Sequence, residues 1–364
     1  MKILWLTNIP SPYRVDFFNE LGKYCELTVL FEKSKSDERD NSWNNYKFDN
    51  FNGIILKGRS YSVDKAICFD VVKYLKKNKY DYIVVSNLGT ITGIIAIEYM
   101  KLAGIKYSIE TDGGFAKSGK GIKEKYKNHL IKKAQYYFST SEANDEYYLT
   151  YGAKKDRIIR YPFTSLRERD IIPQVLNKEE KDKIKKELGI KEEKIILSIG
   201  QFIHRKGYDI LLESAKSIDK TVGIYIIGGK ATEEYLTLKE KYNLSNVYFV
   251  DFKVKKEIAK YYSVADIFVL PTREDIWGLV INEAMAYGLP VITTDKCIAG
   301  LELIKDGENG YLVTAEDHEK LLEAINKLIN DEQLISKMQV NNLLKIRKYT
   351  IEEMAKLHIK VWGE

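Results

Sequence analysis

The chain has 364 residues, of which 45% are hydrophobic and 30% are charged, and these values describe a soluble globular protein of about two domains. Its formal charge of +6, from 58 basic and 52 acidic residues, is too mild to indicate a dedicated nucleic-acid-binding protein. The three cysteines (Cys25, Cys68 and Cys297) and the four histidines are scattered, so we expect neither a disulfide framework nor a metal site.

The N-terminal segment reads as a strand rather than a targeting signal. Its sequence, MKILWLTNIPSPYR, lacks both a long apolar core and a small-residue cleavage site. No stretch reaches the roughly 18–20 apolar residues that a membrane-spanning helix needs. We therefore expect a cytoplasmic protein whose only membrane contact is peripheral, at the inner face.

Strand-like runs alternate with helical patterns along most of the chain. In the first half, strands are predicted near 2–7, 26–31, 53–57, 81–86, 105–110, 136–139 and 158–161, and helices near 14–23, 65–77, 91–103, 122–133 and 142–151. In the second half, strands are predicted near 194–199, 222–227, 246–250, 266–270, 291–294 and 311–313, and helices near 206–217, 232–242, 255–263, 278–287 and 316–328. This alternation predicts parallel sheets covered by helices on both faces.

The segment 164–190 marks the predicted domain boundary, because it is charge-dense, contains Pro173 and ends in a lysine-rich helix with little apolar face. We expect an α/β protein with two Rossmann-like β/α/β domains, 1–165 and 166–345, and an amphipathic C-terminal helix within 346–364. Ligands of such sheets bind beyond the carboxyl ends of the strands, so both domains should direct their active loops into a central cleft.

The stretch 266–294, ADIFVLPTREDIWGLVINEAMAYGLPVITT, carries the clearest chemical signal. It reads as a strand, a polar loop, a helix that opens at Gly278, a tight turn and a second strand, which is a right-handed βαβ unit. The N-terminus of such a helix offers unpaired amides and a positive dipole end that bind phosphate. Gly278 removes the Cβ that would keep a phosphate away from those amides.

Two carboxylates flank this predicted phosphate site. Glu283 lies on the first turns of the helix, and Asp275 lies eight residues earlier on the loop. One of them can accept hydrogen bonds from ribose hydroxyls while the other faces the group that the diphosphate carries, which suits a nucleotide diphospho-sugar. Acidic residues are common in this chain, 52 of 364, so this spacing alone is a weak signal.

The whole block is more specific, because it joins a Pro-Thr loop, W-G-L-V, N-E-A-M-A and G-L-P-V-I in that order. It resembles the donor-site signature of the retaining glycosyltransferase family 4, whose members have the GT-B fold. The resemblance implies that Glu283 binds ribose, that Trp277, Gly278 and Leu279 belong to the donor site, and that the last helix returns to the N-terminal domain. Family members usually have Glu where this chain has Asp275, so we assign Asp275 to the transferred sugar and keep the adjacent Glu274 as an alternative.

A second predicted phosphate-binding element lies in residues 194–207, KIILSIGQFIHRKG, which read as a strand followed by a basic loop. Arg205 and Lys206 next to a helix N-terminus make a plausible anion site, although a solvated basic loop would look the same. In the family, the corresponding Arg and Lys hold the donor diphosphate. Lys206 matches that pattern, but Gln201 stands where the Arg is usual, so Arg205 would supply the second charge.

The stretch 246–255, NVYFVDFKVK, corresponds to the base-binding turn of the family, with Asp251 where Gly is usual. The resemblance places Phe252 and Lys253 along the nucleobase. The identity of that base, uracil, guanine or adenine, does not follow from these residues.

The N-terminal half corresponds to the acceptor-binding domain of the family. Arg14 opens a helix after the first strand and would meet an acceptor or a phosphate, or would simply be a surface residue at a helix start. Glu110 and Asp112, in YSIETDGGFAKSG, stand where the family often has a histidine that contacts the transferred sugar. We take Asp112 as a second catalytic candidate, and no histidine role can be carried over.

The segment 117–134 is strongly basic, with Ile122, Tyr126, Leu130 and Ala134 in a stripe. Such a helix can lie on an anionic membrane or hold an acidic acceptor, or it can be an ordinary solvated helix.

The sequence therefore predicts a retaining, metal-independent glycosyltransferase without a cofactor, which uses a nucleotide-sugar donor and a glycan or lipid-linked acceptor in polysaccharide or glycolipid synthesis. A non-catalytic scaffold or partner subunit is the main alternative, because Gln201 and Asp275 depart from the family pattern. A nucleotide-sugar epimerase would need catalytic acids and histidines that cannot be placed. An NAD-dependent oxidoreductase would need a G-x-G-x-x-G sequence after the first strand, which is absent.

Overall fold

The computed structural model describes residues 1–35, 46–116 and 121–363, and the chain divides into two compact units. Unit 1 comprises Met1–Ser165 together with Tyr349–Glu364, and unit 2 comprises Leu166–Lys348. Each unit contains a parallel sheet, and helices alternate with most of its strands.

The sheet of unit 1 has seven strands in the order β3-β2-β1-β6-β7-β8-β9, and all of its pairs are parallel. Its strands are β1 (Lys2–Thr7), β2 (Glu26–Phe31), β3 (Asn52–Ile55), β6 (Tyr82–Val85), β7 (Ser108–Glu110), β8 (Tyr137–Ser139) and β9 (Ile158–Arg160), and a separate antiparallel pair is formed by β4 (Arg59–Ser62) and β5 (Lys65–Ile67). The helices are α1 (Pro12–Leu21), α2 (Ile91–Ala103), α3 (Ile122–Ile131) and α4 (Glu142–Thr150).

The central strand β1 shows why this half folds as a covered parallel sheet. Its sequence KILWLT is buried from Ile3 onward, which is the near-continuous apolar run expected of a strand with helices on both faces. Trp5 is wholly buried between Phe17 and Phe18 of α1, with ring centroids 5.6 and 5.3 Å away. The pattern of the sequence therefore identifies the core of unit 1 correctly at this strand.

The helix predicted over 65–77 is wrong. Residues Lys65–Ile67 form strand β5, and a short 3-10 helix follows at Phe69–Lys73. The Ala66 amide donates to the buried Glu32 carboxylate at 3.0 Å, and the Cys68 amide donates to Thr92 Oγ1 at 3.0 Å. These tertiary hydrogen bonds hold the backbone extended where the apolar spacing alone favours a helix.

The sheet of unit 2 has six parallel strands in the order β12-β11-β10-β13-β14-β15. They are β10 (Lys194–Ile199), β11 (Val222–Ile227), β12 (Val247–Val250), β13 (Ile267–Leu270), β14 (Val291–Thr294) and β15 (Gly310–Val313). The helices are α5 (Lys178–Leu188), α6 (Tyr208–Ala215), α7 (Glu233–Lys241), α8 (Lys255–Val264), α9 (Leu279–Ala286), α10 (Ile298–Leu303), α11 (His318–Ile329) and α12 (Glu332–Ile346).

The strand order of unit 2 reverses between β10 and β13, which are neighbours at the centre of the sheet. Chain connections leave these two strands in opposite directions, so a crevice opens beyond their carboxyl ends. Ligands of open α/β sheets bind at such a switch point. The two loops that the sequence selects as phosphate-binding elements both begin there.

The last helix, α13 (Ile351–Gly363), belongs to unit 1 although it follows unit 2 in the sequence. The Trp362 ring stacks on Tyr82 at 5.6 Å between centroids, and the His358 ring stacks on Phe138 at 4.4 Å. Both stacks are with residues on strands of the unit 1 sheet. No helix within the described residues is both long and apolar enough to cross a lipid bilayer.

Candidate active site

The loops 200–207 and 271–278 leave the carboxyl ends of β10 and β13 and are joined to each other. Gly207 has φ +67°, and a Cβ at this position would collide with the Pro271 carbonyl oxygen. The Thr272 hydroxyl and the Arg273 amide both donate to the Arg205 carbonyl oxygen at 2.8 Å. Glycine is therefore required where the two loops touch, and the loops are held as one surface.

Two basic residues of the first loop meet Asp275 of the second. Lys206 Nζ lies 2.6 Å from Asp275 Oδ2, and Arg205 Nη1 lies 3.4 Å from Asp275 Oδ1. The Lys206 and Asp275 side chains are only 12% and 10% exposed, whereas Arg205 is 45% exposed and also donates to the Glu274 carbonyl oxygen at 2.7 Å. The structure thus brings together three residues that the sequence selects independently.

Helix α9 begins at Leu279, directly after Gly278. Gly278 has φ +100°, and a Cβ there would lie 2.9 Å from Cys297 Sγ. The backbone conformation and the approach of Cys297 therefore both require glycine at position 278, whether or not a ligand binds there. Because the first amides of a helix have no intrahelical partners, the α9 N-terminus supplies donors at the end of β13.

The Trp277 side chain supports this helix start from inside the unit. It is 2% exposed, and its Nε1 donates to Asn282 Oδ1 at 2.9 Å. Its carbonyl oxygen accepts from Cys297 Sγ at 3.1 Å and from the Ala299 amide at 2.9 Å. The predicted donor contact of Trp277 stays a prediction; its observed contacts fix the loop backbone.

Glu283, the predicted ribose-binding acid, is half-buried on α9. Tyr262 of α8 donates its hydroxyl to Glu283 Oε2 at 3.1 Å. Burial, followed by the charge of Glu283, raises the pKa of Tyr262 well above its usual value, so its hydroxyl keeps its proton. Sequence reasoning misses Tyr262, since nothing in the local sequence of α8 indicates a partner 21 residues away.

The other predicted donor residues lie on more open loops. Gln201 is exposed just after β10, and Leu279 is half-buried at the start of α9. Phe252 is 48% exposed after β12, and the neighbouring Lys253 Nζ lies 3.7 Å from Glu257. All of these positions follow the carboxyl ends of parallel strands, and their contacts with a ligand stay predictions.

Arg273 is a structural residue of the site for which the sequence predicts no role. Its guanidinium donates two hydrogen bonds to Asp209 of α6, at 2.8 and 2.6 Å, and one to the His204 carbonyl oxygen at 2.7 Å. It also pairs with Glu316, ahead of α11, at 2.5 Å. Partial burial opposes ionisation of Asp209, but the hydrogen bonds and charge of Arg273 hold its pKa below its usual value.

In unit 1, Arg14 is 3% exposed, and its guanidinium pairs with both Glu110 and Asp112. Tyr13 donates its hydroxyl to the second oxygen of Asp112 at 2.8 Å. Burial opposes ionisation of Glu110, but Arg14 and His358 hold its pKa below its usual value. The predicted contact of Arg14 with an acceptor or a phosphate stays a prediction, although its guanidinium already has two carboxylate partners.

The basic helix is described only in part, because residues 117–120 of the segment 117–134 lie outside the described residues. In α3, Ile122 is 88% and Tyr126 is 41% exposed, whereas Leu130 of the same helix and Ala134, which follows it, are buried. The apolar stripe therefore runs from the surface into the core instead of forming one continuous docking face. The residues that the structure describes contain no group of three or more His, Cys, Asp or Glu side chains that could hold a metal ion.

Solved structures share this fold over the full chain. HepE from Anabaena, in complex with UDP, matches with a TM-score of 0.80 and 16% identity, and the match covers 100% of both chains. Sucrose-phosphate synthase from Thermosynechococcus elongatus matches with a TM-score of 0.79 and 18% identity, over 100% of this chain and 98% of that chain. The architecture is the GT-B fold, which confirms the predicted class of two Rossmann-like domains.

The C-terminal half also matches a sequence family. Residues 180–344 match the family model described as Glycosyl transferases group 1. This part of the chain is therefore similar to that family, in agreement with the resemblance of its donor-site signature. The match lies within unit 2 and includes both loops at the ends of β10 and β13.

Curated bacterial proteins are also similar to this chain. An uncharacterized 41.2 kDa protein in the cps region of Klebsiella pneumoniae is 36% identical over 152 residues, which is 41% of each chain. The N,N'-diacetylbacillosaminyl-diphospho-undecaprenol alpha-1,3-N-acetylgalactosaminyltransferase of Campylobacter jejuni is 23% identical over 307 residues, 81% of this chain and 80% of that relative. The chain spans less than half the length of the first three relatives that it matches, at 41%, 47% and 49%.

Proposed function

We propose that the protein is a retaining glycosyltransferase that moves a sugar from a nucleoside diphospho-sugar to a hydroxyl acceptor. The observation that carries this proposal is the meeting of Arg205, Lys206 and Asp275 at the switch point of the unit 2 sheet. The family match over the same region and the glycosyltransferase relatives support it.

The leaving diphosphate would be stabilised without a metal ion. Lys206 and Arg205 supply positive charge, and the N-terminus of α9 supplies amides aimed beyond the end of β13. Lys206 Nζ lies 2.6 Å from Asp275 Oδ2. A bound diphosphate would share Lys206 with Asp275, so one cation would orient both the leaving group and the acid assigned to the sugar.

The nucleoside would be oriented by Glu283 and by the loop after β12. The Tyr262 hydroxyl donates to Glu283 Oε2 and orients the carboxylate, and we assign Glu283 to hydrogen bonds with the ribose hydroxyls. Phe252 presents an exposed ring that suits stacking on a base, and Lys253 lies beside it.

Retention would follow from attack on the same face as the leaving group. The bond between the anomeric carbon and the phosphate oxygen breaks, the acceptor oxygen bonds to that carbon from the same side, and the acceptor proton passes to the leaving phosphate. This step needs no protein base, so the required groups are those that stabilise the diphosphate and orient the sugar. From unit 1 we assign Asp112 to contact with the substrate.

The acceptor class we propose is a lipid-linked or cell-surface glycan. The Campylobacter jejuni relative is named for a diphospho-undecaprenol acceptor, and a Staphylococcus aureus relative is named for capsular polysaccharide biosynthesis. An acceptor of this kind sits at a membrane surface. The exposed Ile122 and Tyr126 among the lysines of α3 suit peripheral contact with anionic lipid.

Vesicle sedimentation tests the membrane contact. The protein should sediment with vesicles that contain anionic phospholipid but not with vesicles of neutral phospholipid. Added salt should release it from the anionic vesicles. An Ile122→Ser variant should bind less well than wild type, and Leu236→Ser on α7 in unit 2, another exposed apolar position, is the matched control. Binding that ignores both lipid charge and salt would contradict the electrostatic contact.

A transfer assay tests the function itself. The purified protein is incubated with labelled nucleotide sugars and with lipid-linked or glycan acceptors, with and without a chelator, and the product anomer is read by NMR. We expect chelator-resistant transfer with retained configuration, and loss of transfer in Glu283→Gln. Nucleotide binding without turnover on any acceptor would favour a non-catalytic scaffold, and inverted product would contradict the proposed mechanism.

A further inference from the structure

A buried chain of alternating charges connects α13 to the loop after β7. The Arg14 guanidinium bridges Asp112 and Glu110, and the second oxygen of Glu110 faces His358 Nε2 at 3.5 Å. The side chains of Arg14, Glu110 and His358 are at most 4% exposed, whereas Asp112 is 27% exposed. Among these four charged side chains, Asp112 is therefore the one that a solute can reach.

The surroundings of the His358 ring define its protonation state. Its Nδ1 lies 2.8 Å from the Met354 carbonyl oxygen, which can only accept, so Nδ1 must carry a hydrogen. Its Nε2 faces a carboxylate oxygen, and neither of these two atoms has another hydrogen-bond partner among the described residues. A ring without a proton on Nε2 would direct a lone pair at a buried carboxylate oxygen, so the geometry indicates an imidazolium.

With this proton the cluster is electrically balanced. Arg14 and His358 contribute two positive charges, and Glu110 and Asp112 contribute two negative charges. The remaining groups that face the His358 ring are aromatic and come from β1, α1, β8, the segment after β9, and α13 itself: Trp5, Phe17, Phe138, Tyr161 and Trp362. Of these, only Tyr161 can titrate, and burial keeps it protonated by raising its pKa well above the usual value.

We propose that His358 is a positioning residue of the enzyme: its protonated ring holds Glu110 in place, Glu110 and Asp112 share Arg14, and Asp112 is thereby fixed in its substrate-facing orientation. The Tyr13 hydroxyl, 2.8 Å from the second oxygen of Asp112, completes the fixation. This inference rests on the proposed function, because it assigns Asp112, the exposed member of the cluster, to contact with the substrate.

The inference gives α13 a role beyond packing. This helix follows unit 2 in the sequence but completes a polar cluster of unit 1. If the cluster only docked the helix, the loss of His358 would reduce stability and leave the kcat of the folded enzyme unchanged. If it positions Asp112, kcat must change while nucleotide binding in unit 2 does not.

The protonation state is tested without any activity measurement. NMR of protein labelled on both histidine ring nitrogens reports imidazolium directly, and four His→Gln variants assign the four histidines. We expect an imidazolium signal for His358 at neutral pH that is lost in Glu110→Gln. A neutral His358 ring in the wild-type protein would overturn the inference, whether or not the protein transfers sugar.

Kinetics test the positioning. In His358→Gln we expect kcat to fall about tenfold or more, as for a misplaced catalytic group, with unchanged affinity for the nucleoside diphosphate. The control is His318→Gln at the exposed start of α11. A folded His358→Gln variant with wild-type kcat would overturn the role, and if it does not fold, the NMR result decides.

Discussion

At the scale of single residues, the ion pair between Lys206 and Asp275 is the central contact of the proposed donor site. Both side chains are largely removed from water, and removal of one partner from such a pair leaves an unpaired charge. The pair also connects the two strand-end loops, because Lys206 follows β10 and Asp275 follows β13. Its loss should therefore weaken the junction of the two loops as well as ligand binding.

The first prediction concerns Lys206→Met. Loss of one charge-assisted contact of about 1.5–3 kcal/mol should raise the Kd for a nucleoside diphosphate roughly tenfold or more. Calorimetric titration measures the effect, and Lys216→Met is the control because Lys216 pairs with Glu213 on the outer side of α6. Equal affinities of Lys206→Met and wild type would remove Lys206 from the diphosphate site.

The second prediction separates two reasons for glycine at position 278. Gly278 and Gly229 have nearly the same φ, +100° and +101°, but only Gly278 has a close neighbour, Cys297 Sγ. Gly229→Ala should lower the free energy of unfolding by about 1–2 kcal/mol through backbone strain, and Gly278→Ala should lower it further. Urea denaturation measures both values. Equal losses would show that the contact with Cys297 contributes nothing.

Sequence reasoning predicts the residues whose signal is local and misses those whose partners are distant. Lys206, Asp275 and Gly278 each stand at a recognisable loop-to-helix junction, and the structure places all three at the switch point. Arg273 and Tyr262 have no such signal, because their partners lie 64 and 21 residues away. The distances between loops are determined by the sheet, which composition and spacing do not describe.

At the scale of elements, the loop 271–278 is held by its neighbours. Arg273 joins it to α6 through Asp209 and to the segment before α11 through Glu316. The Asp275 amide donates to the Lys296 carbonyl oxygen at 2.9 Å, which ties the loop to the segment after β14. The acidic loop is therefore held by protein contacts on several sides, which is the preorganisation that the proposed electrostatic catalysis requires.

The third prediction concerns Arg273→Gln and acid. Since the pKa of Asp209 is lower in the folded state, its contribution to stability is present above the unfolded pKa and is lost as the pH falls through the folded pKa. Arg273→Gln should destabilise the protein above that range and should weaken the acid dependence within it. Unfolding free energies from neutral to acidic pH test this, with Arg169→Gln as a control away from Asp209. Parallel pH curves for Arg273→Gln and wild type would contradict it.

Some helices and strands follow from local sequence patterns, whereas others are determined by tertiary contacts. In unit 2, strands and helices predicted from periodicity agree with the structure to within a few residues, because buried parallel strands are short continuous apolar runs. The pattern gives no prediction for α12, and it fails over 65–77. In that segment Glu32 and Thr92 hold the backbone extended, and no local propensity carries that information.

At the scale of the whole molecule, the chain crosses back to unit 1 at its end. The residues of α13 that face unit 1 are almost fully buried, including Ile351, Met354, His358 and Trp362. Burial of each apolar side chain contributes about 1.5–3 kcal/mol. Together these contributions are comparable to the stability of a typical domain. The two Rossmann-like domains follow from the alternating pattern, whereas the GT-B fold and this return of the chain follow only from the family resemblance.

The fourth prediction concerns a chain that ends at Lys348. Removal of α13 should destabilise unit 1 by several kcal/mol through loss of this burial. The residues proposed for the diphosphate lie within Leu166–Lys348, so affinity for a nucleoside diphosphate should be retained. Thermal unfolding combined with calorimetry measures both effects, against a control that lacks only Glu364. Wild-type unfolding of the shortened chain would contradict the packing role of α13.

The identity of the donor base shows why part of the site is not readable from the sequence. The loop after β12 presents Phe252, whose ring stacks equally on any base, and hydrogen bonds to the base edge can come from backbone groups that leave no residue signature. The identity of the acceptor does not follow from the sequence either, since no single motif of unit 1 encodes it.

Calorimetric titration with UDP, GDP, ADP and NAD, with and without magnesium, tests the central claim most directly. We predict selective binding of one nucleoside diphosphate, independent of magnesium, weakened in Lys206→Met and unchanged in Lys216→Met. Absence of binding by every diphosphate, or binding of NAD alone, would contradict the assignment of a nucleotide-sugar donor site to the ends of β10 and β13.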